Sequence, residues 1–145
     1  MMVSTRGRYA LRVMIELASR GGEEYVPLKE IAQKQEISEK YLEAIIKTLV
    51  KNGLVVGLRG KGGGYKLATA PDRCTVAAIL RLTEGSLAPV SCLSEGENPC
   101  PRAEVCATLP MWTQLHHLIE EYLESVTLED LVKQSVGDPG GCYVI

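Results

Sequence analysis

Residues 37–67 read ISEKYLEAIIKTLVKNGLVVGLRGKGGGYKL, and this stretch decides the fold. Ser38 is a residue type that caps helices, and the apolar residues after it recur at the three- and four-residue spacing of one helix face. They are Leu42, Ile45, Ile46 and Leu49. Asn52-Gly53 ends the helix, because glycine tolerates the left-handed backbone that closes many helices. The pattern predicts an amphipathic helix with one buried face.

A β-hairpin is predicted directly after this helix. Residues 54–58 are β-prone, residues 59–64 contain four glycines, and residues 65–68 are again strand-like. Two short strands around a glycine-rich loop are typical of a hairpin.

Two further helices are predicted before residue 37. Residues 6–19 place apolar side chains at helical spacing (Leu11, Met14, Ile15 and Ala18), and Gly21-Gly22 ends that helix. A short second helix starts at Pro27, and residues 35–37 form the turn before the third. Two helices, a tight turn and a hairpin predict a winged helix-turn-helix, in a chain that is mainly α-helical.

The second half of the chain is predicted to hold a loop and three helices. Thr75 caps a fourth helix that ends at Gly85, and residues 86–101 then lack periodicity and contain three prolines. A long helix with one apolar face runs to about Ser125, and residues 127–130 resemble a capping box for a last short helix. We expect four parts: a winged-helix domain (1–85), a cysteine-containing loop (86–108), a long helix (109–126) and a short helix with a tail (127–145).

The charge is distributed unevenly along the chain. Residues 1–66 hold 12 Lys/Arg and 7 Asp/Glu, whereas residues 67–145 hold 4 Lys/Arg and 11 Asp/Glu. A basic front half favours a polyanionic partner, although ordinary solvated faces produce the same asymmetry. No apolar run approaches the ~18 residues of a membrane span, and residues 1–6 do not resemble a signal peptide. We therefore expect a cytoplasmic protein that does not cross a membrane.

The predicted third helix is the candidate DNA-reading element. In a helix-turn-helix the second helix of the motif enters the major groove and touches base edges near its N-terminus. Its outer face is expected to show Glu39, Lys40, Glu43, Ala44 and Lys47, with Ser38 and Tyr41 near the helix start. The candidate DNA ligands among these residues are Ser38, Lys40, Tyr41, Glu43 and Lys47. The lysines suit phosphates, and Glu43 can accept a hydrogen bond from a cytosine amino group. The alternative is a solvated helix face in a protein-interaction domain.

The predicted wing carries a second group of candidate DNA ligands, Arg59, Gly60 and Lys61. Glycine lets the backbone approach a phosphate chain closely, and an arginine on such a tip can enter a narrow minor groove. The alternative is the phosphate-binding loop of an enzyme. That alternative is disfavoured, because residues 59–65 match neither the Walker A spacing nor a GxGxxG before a helix.

Three of the five cysteines, Cys92, Cys100 and Cys106, lie within 15 residues of one another. Cysteines in a cytoplasmic chain are reduced, so this spacing indicates a metal or redox site rather than a disulfide framework. An iron–sulfur cluster, structural zinc and unligated or redox-active thiols all remain open on the residues alone. Cys74 and Cys142 receive no role. No Ser/His/Asp set, paired carboxylates or HExxH motif supports an enzyme.

Several short motifs resemble the Rrf2 superfamily of winged-helix regulators, and its IscR-like, iron–sulfur branch in particular. They are Thr5-Arg6-Gly7-Arg8-Tyr9-Ala10, Ile37-Ser38 followed by Tyr41-Leu42-Glu43, Lys51-Asn52-Gly53-Leu54-Val55, and Arg59-Gly60-Lys61-Gly62-Gly63-Gly64-Tyr65. The resemblance covers roughly residues 1–135. It implies a homodimeric regulator of a double-stranded DNA operator, often a repressor, in which the long helix is the dimerisation element.

The resemblance also implies roles for individual residues. Glu43 matches the base-reading glutamate of the family, and Arg59 matches its minor-groove arginine. Cys92, Cys100 and Cys106 match the three cysteines that hold a [2Fe-2S] cluster in the IscR-like branch. The resemblance therefore implies that DNA affinity or site choice depends on the occupancy of such a cluster.

The chain departs from that branch at the fourth cluster ligand. IscR-like proteins have a histidine three residues after the last cysteine, and Leu109 stands at this position here. His116 lies ten residues beyond Cys106, about 15 Å along a helix, and is too distant to replace it. Glu97, Glu104, a partner subunit or a small molecule stay open as the fourth ligand. The alternatives to cluster sensing are a same-fold repressor of sulfur or cysteine metabolism controlled by a partner protein, and a zinc-bound or thiol redox switch.

Overall fold

The computed structural model describes residues 2–94 and 100–137. Six α-helices lie in these ranges: α1 (Thr5–Ser19), α2 (Leu28–Gln35), α3 (Glu39–Lys51), α4 (Val76–Glu84), α5 (Leu109–Ser125) and α6 (Leu128–Gly137). Two antiparallel strands, β1 (Val55–Leu58) and β2 (Gly64–Leu67), stand between α3 and α4. Short 3-10 turns cover Pro71–Arg73 and Ser91–Leu93. The fold is a winged helix, mainly α-helical with one hairpin, as the sequence predicts.

Helix α1 is the centre of the core, since α2, α3, α4, α6 and β2 all pack against it. Its fully buried apolar residues are Ala10, Val13, Met14 and Leu17. Leu11 and Ile15, two of the residues at helical spacing in the sequence, are only half-buried and pack against this core. A helix packed on several sides carries overlapping apolar stripes, and periodicity alone does not decide which of them is buried most deeply.

The turn between α2 and α3 has the predicted form. Helix α2 ends at Gln35, and Glu36 then adopts the left-handed backbone with φ 54°. Ile37 is buried beneath the turn, and the Ser38 hydroxyl accepts a hydrogen bond from the Tyr41 N–H at 3.2 Å. The capped helix α3 buries Leu42, Ile45, Ile46 and Leu49 against the body, which confirms the predicted stripe.

The wing is tied to the chain before α2. Strands β1 and β2 pair with Val55 opposite Leu67, and Tyr65 forms a further bridge with Val26 through two backbone hydrogen bonds of 2.8 and 2.9 Å. Gly64 lies at this crossing with φ 146°, and a Cβ there would clash with the Val26 carbonyl. The bridge fixes the base of the wing beside the helix-turn-helix.

Helices α4 and α6 close the other side of α1. The Thr75 hydroxyl caps α4 by accepting from the Ala78 N–H at 3.1 Å. A bridge between Thr75 and Thr127 then brings α6 alongside, so that Leu128 is fully buried in the core. Among the described residues, no helix has both the length and the apolar character needed to cross a membrane.

Candidate nucleic-acid interface and cysteine loop

The outer face of α3 presents the predicted DNA-reading residues to solvent. Ser38, Lys40, Glu43 and Lys47 are all exposed, while the opposite face of the helix is buried in the core. Tyr41 is 39% exposed, and its ring packs edge-on against Tyr9 of α1 with the centroids 5.7 Å apart. Tyr41 is therefore partly packed against α1 and partly exposed to solvent. Helical spacing in the sequence does not indicate this packing.

The tip of the wing is built by glycines. Gly60 and Gly62 have φ values of 95° and 79°, and the Gly63 N–H donates to the Gly60 carbonyl at 3.0 Å to close the turn. A Cβ at Gly63 would overlap the Leu58 carbonyl, so only glycine fits there. Arg59 and Lys61 are exposed on this tip. Within the described parts of the chain, neither side chain forms an ion pair.

A groove of about 720 Å³ lies between α3 and the wing and brings the two predicted groups together. Glu43 and Lys47 line it from α3, and Arg59 and Gly60 line it from the wing. The floor is apolar and includes Ile46, Val50 and Leu58. Four of the eight predicted DNA ligands thus border one cleft with carboxylate and cationic groups at its edges.

Two more basic residues belong to this surface, one at the end of α3 and one on α1. Lys51 lines the same groove, and it shares a helix face with Lys40 and Lys47 because these positions are seven and four residues apart. This helical spacing is itself sufficient to predict that Lys51 lies on the same face, although Lys51 is not among the eight predicted ligands. Arg6 of α1 donates to the Thr48 hydroxyl at 2.9 Å and so flanks α3 on its other side. That position depends on how two helices pack, and no local motif indicates it.

The cysteine loop is only partly covered by the described ranges. Cys92 lies in the 3-10 turn Ser91–Leu93, Cys100 and Cys106 stand at the two ends of the turn at residues 101–105 before α5, and all three side chains are partly exposed. Glu97, a predicted alternative ligand, and Cys142 lie outside the described residues. Within residues 2–94 and 100–137, no three His, Cys, Asp or Glu side chains come close enough to hold a metal ion.

The donors fit a thiolate-bound metal group in kind, but the described residues do not gather them into a site. The Cys106 sulfur lies 3.4 Å from the Thr108 hydroxyl, and hydrogen bonds with Thr108 lower the pKa of this thiol. Burial instead raises the pKa of Cys74, which is 3% exposed in the core. Leu109 is the first residue of α5 and offers no donor atom. His116 lies two turns further along, where its Nε2 contacts the Glu120 carboxylate at 2.5 Å.

Helix α5 has two different apolar faces. Ile119 and Leu123 pack against a small core around Ala77 and Leu80 of α4. The second face is exposed, with Met111 at 53%, Leu118 at 53% and Tyr122 at 67%. No residue of α5 is fully buried. The single apolar face that the sequence predicts for this helix is thus divided into a packed stripe and an open one.

The sequence also matches a protein-family model. The model, described as "Rrf2: Iron-dependent Transcriptional regulator", matches residues 3–134. The chain belongs to the Rrf2 family. The resemblance that its motifs indicate is thereby confirmed.

Curated members of the Rrf2 family match nearly the whole chain. The HTH-type transcriptional regulator CymR of Bacillus subtilis is 42% identical over 138 residues, which cover 95% of this chain and 94% of the relative. The HTH-type transcriptional regulator IscR of Erwinia tasmaniensis is 38% identical over 132 residues, covering 91% and 79% respectively. This chain is a transcriptional regulator of the Rrf2 family.

Solved structures of Rrf2 regulators share the fold. B. subtilis CymR, described as "the Global Cysteine Regulator", superposes with a TM-score of 0.76 at 40% identity and covers 92% of this chain and 98% of its own. "T. potens IscR" gives a TM-score of 0.74 at 39% identity and covers 93% and 88%. CymR and IscR are different regulators, and this chain is similar to both. Similarity to them therefore does not establish which signal this Rrf2 protein senses.

Proposed function

We propose that this chain is a homodimeric regulator that binds a double-stranded DNA operator in the cytoplasm. The observation that carries the proposal is the groove between α3 and the wing, where Glu43 and Lys47 face Arg59 across one cleft. A helix in the major groove and a wing on the adjacent backbone or minor groove is the docking arrangement that this shape supports.

The residues of the interface divide into phosphate ligands and base readers. Lys40, Lys47 and Lys51 are exposed cations on α3, which suits contacts to phosphates that fix the register of the protein on DNA. Glu43 lies one turn into the helix, and its carboxylate can accept from the amino group of cytosine. Arg59 on the glycine-rich tip suits a narrow, electronegative minor groove. Contacts of both kinds are needed, because phosphate contacts alone carry no sequence information.

The open stripe of α5 supports a homodimer with a second copy of this chain. Met111, Leu115, Leu118 and Tyr122 form one side of the helix and are between 38% and 67% exposed. When the stripe packs against the same stripe of a second copy, this surface is removed from water. Two-fold symmetry then makes every contact occur twice, because residue i contacts residue j of the other copy and j contacts i. Two copies would then present two α3 helices to two operator half-sites.

Selection of duplexes from a randomised pool, followed by anisotropy at one fixed salt concentration, tests the DNA-binding proposal. We expect wild-type protein to return two related half-sites. Glu43→Ala should lose the base preference at one position of each half-site, whereas the neighbouring exposed variant Glu39→Ala should keep it. Recovery of random sequences by wild-type protein, with all duplexes bound equally, would contradict the proposal.

For the signal, we propose that Cys92, Cys100 and Cys106 hold a [2Fe-2S] cluster, with zinc as the competing occupant. Three partly exposed thiols in one loop, the lowered pKa of Cys106 and the IscR relatives support this proposal. When bound, such a cluster supplies one-electron redox chemistry and sensitivity to iron supply. Because Leu109 stands where the IscR-like branch has its histidine, the fourth ligand of such a cluster would differ from that of the branch.

The competing function is repression of sulfur or cysteine metabolism, which the description of CymR as a cysteine regulator supports. In this alternative a partner protein is the signal and the thiols hold no metal. Anaerobic purification, visible absorption spectra and iron and sulfide counting separate the possibilities. We expect absorption bands in wild-type protein and in Cys74→Ala, and none in Cys92→Ala or Cys106→Ala. Zinc without colour would favour the competing occupant, and neither metal would favour CymR-like control. Operator affinity of the apo and reconstituted forms at one salt concentration then tests whether occupancy controls binding.

A further inference from the structure

We infer that Arg12 is a positioning residue for DNA reading: it fixes the turn before α3 and thereby sets the angle at which the recognition helix meets base edges. This inference rests on the proposed DNA-binding function. The inference is based on a network of contacts on the inner side of the helix-turn-helix. In this network, side chains of α1 contact the end of α2 and the start of α3.

Gln35, the last residue of α2, is held by α1 at two atoms of its side chain and at its backbone. The Arg12 Nε donates to the Gln35 Oε1 at 3.1 Å, and a second Arg12 nitrogen donates to the Gln35 carbonyl. The Gln35 side-chain amide donates in turn to Glu16 at 2.8 Å. The last carbonyls of a helix lack partners within it, so the Arg12 guanidinium satisfies one of them with a charge of the favourable sign.

The residue after this clamp is the point at which the chain changes direction. Glu36 has φ 54° and ψ 46°, a left-handed conformation that is strained for residues other than glycine. Such a conformation persists only where its surroundings determine it. Arg12 holds Gln35, the residue before Glu36, by hydrogen bonds. Ile37, the residue after Glu36, is held by its burial in the core.

Arg12 also reaches the first turn of α3 through two aromatic rings. Its guanidinium carbon stands 5.0 Å from the centre of the Tyr9 ring, and Tyr9 packs edge-on against Tyr41. Cation–π and edge-to-face contacts are directional, so they restrain orientation as well as distance. The turn is thus restrained from both ends by one side chain of α1.

Arg20, the residue that directly follows α1, provides a matched control. Its Nε donates to Glu16 at 3.0 Å, and its NH1 nitrogen donates to Glu30 near the start of α2 at 2.6 Å. It shares the carboxylate of Glu16 with the network, but it does not contact the turn residue Gln35 or either tyrosine. Loss of Arg20 removes the same charge from the end of α1 and leaves the clamp on the turn intact.

The experiment measures operator discrimination, defined as the affinity for the wild-type-selected duplex divided by that for a shuffled duplex of the same composition. We expect Arg12→Met to reduce this ratio about tenfold, as for one lost base-pair contact, with nearly unchanged affinity for the shuffled duplex. Arg20→Met should leave the ratio within about twofold of wild type. Thermal melting by circular dichroism, recorded for each variant, identifies the temperature at which all are folded.

A conservative variant distinguishes a positioning role of Arg12 from a direct contact between its charge and a DNA phosphate. Arg12→Lys keeps the charge but cannot form both hydrogen bonds of the planar fork, so we expect it to lose discrimination as Arg12→Met does. Rescue by lysine, or equal loss on both duplexes with a salt slope reduced by about one, would show that Arg12 contacts a phosphate and would overturn the inference. An unchanged ratio in folded Arg12→Met would overturn it as well. If wild-type protein itself fails to discriminate, the DNA-binding proposal fails instead.

Discussion

The winged-helix body, formed by α1–α4 and the wing, differs from α5 in how its apolar surface is covered. In the body, each α-helix contributes fully buried residues to the core, as Met14, Ile31, Leu49 and Ile79 show. In α5 no residue is fully buried, and one side of the helix is open to solvent. The body therefore has its own core, whereas one apolar stripe of α5 is left uncovered. This difference separates the proposed DNA-reading surface from the proposed dimer surface.

The largest effect is expected from a cavity in the body. Leu49→Ala removes a side chain that is 0% exposed among close-packed neighbours, so we expect the free energy of unfolding to fall by about 2–5 kcal/mol. Urea unfolding followed by circular dichroism measures it. Val50→Ala is the matched control, because Val50 is the next residue and is 39% exposed, and we expect a loss below about 1 kcal/mol. Equal losses would contradict the assignment of the core face of α3.

A charge in the open stripe of α5 should break assembly without unfolding the body. Leu118 is 53% exposed, and Leu118→Glu would place a carboxylate in the proposed dimer interface. We expect the dimer dissociation constant to rise at least about hundredfold, as for a buried unpaired charge, with the helical signal retained. Sedimentation over a range of protein concentrations measures the constant.

The control for this experiment lies on the same helix. His117 is exposed and, one residue before Leu118, points about 100° away from the stripe, so His117→Glu should leave the dissociation constant nearly unchanged. A Leu118→Glu protein that sediments as wild type does would show that the open stripe is not the dimer interface.

The same contrast explains how much of the molecule could be predicted from the sequence. Helix α3, its Ser38 cap, the position of the turn before it and the wing are encoded by neighbouring residues, and the structure has all of them, whereas nothing local indicates the left-handed backbone of Glu36. The capping box at Thr127 is also local: its N–H donates to Asp130 at 3.0 Å, and its hydroxyl accepts from the Asp130 N–H at 3.1 Å. Local sequence signals are sufficient to predict an element when its backbone hydrogen bonds are formed within the same short segment.

Contacts between distant segments were not predictable in the same way. The bridge of Val26 to Tyr65, the clamp of Arg12 on Gln35 and the approach of Arg6 to Thr48 each join residues that lie 23 to 42 positions apart. Apolar spacing marked α5 as amphipathic, but it did not show which stripe packs on α4. The eight predicted DNA ligands and the role of the cysteines stay predictions, because they concern partners that are absent from the chain itself.

Within the body, the wing and α3 should differ in sequence dependence. Arg59→Ala is expected to weaken binding about tenfold at operators whose flanks are A·T-rich, because a narrow minor groove attracts arginine most strongly. Lys47→Ala should weaken binding to all duplexes by a similar factor, since a phosphate contact is indifferent to sequence. Anisotropy titrations on duplexes that differ only in their flanks measure both. Identical loss profiles for the two variants would refute the wing assignment.

The smallest effect is expected at the cap of α6, the helix that anchors Leu128 in the core. Hydrogen bonds with Thr127 lower the pKa of Asp130, so its carboxylate binds a proton less readily in the folded chain than in the unfolded one. The stabilisation is therefore fully present above the unfolded-state pKa of about 4 and is lost as the pH falls through the lower folded-state value. Asp130→Asn should lower the melting temperature slightly at neutral pH, and the difference from wild type should shrink in acid. Glu129→Gln removes the neighbouring first-turn charge without touching the capping bonds, so a pH profile matching that of Asp130→Asn would show that charge near the helix end, rather than the cap, is responsible.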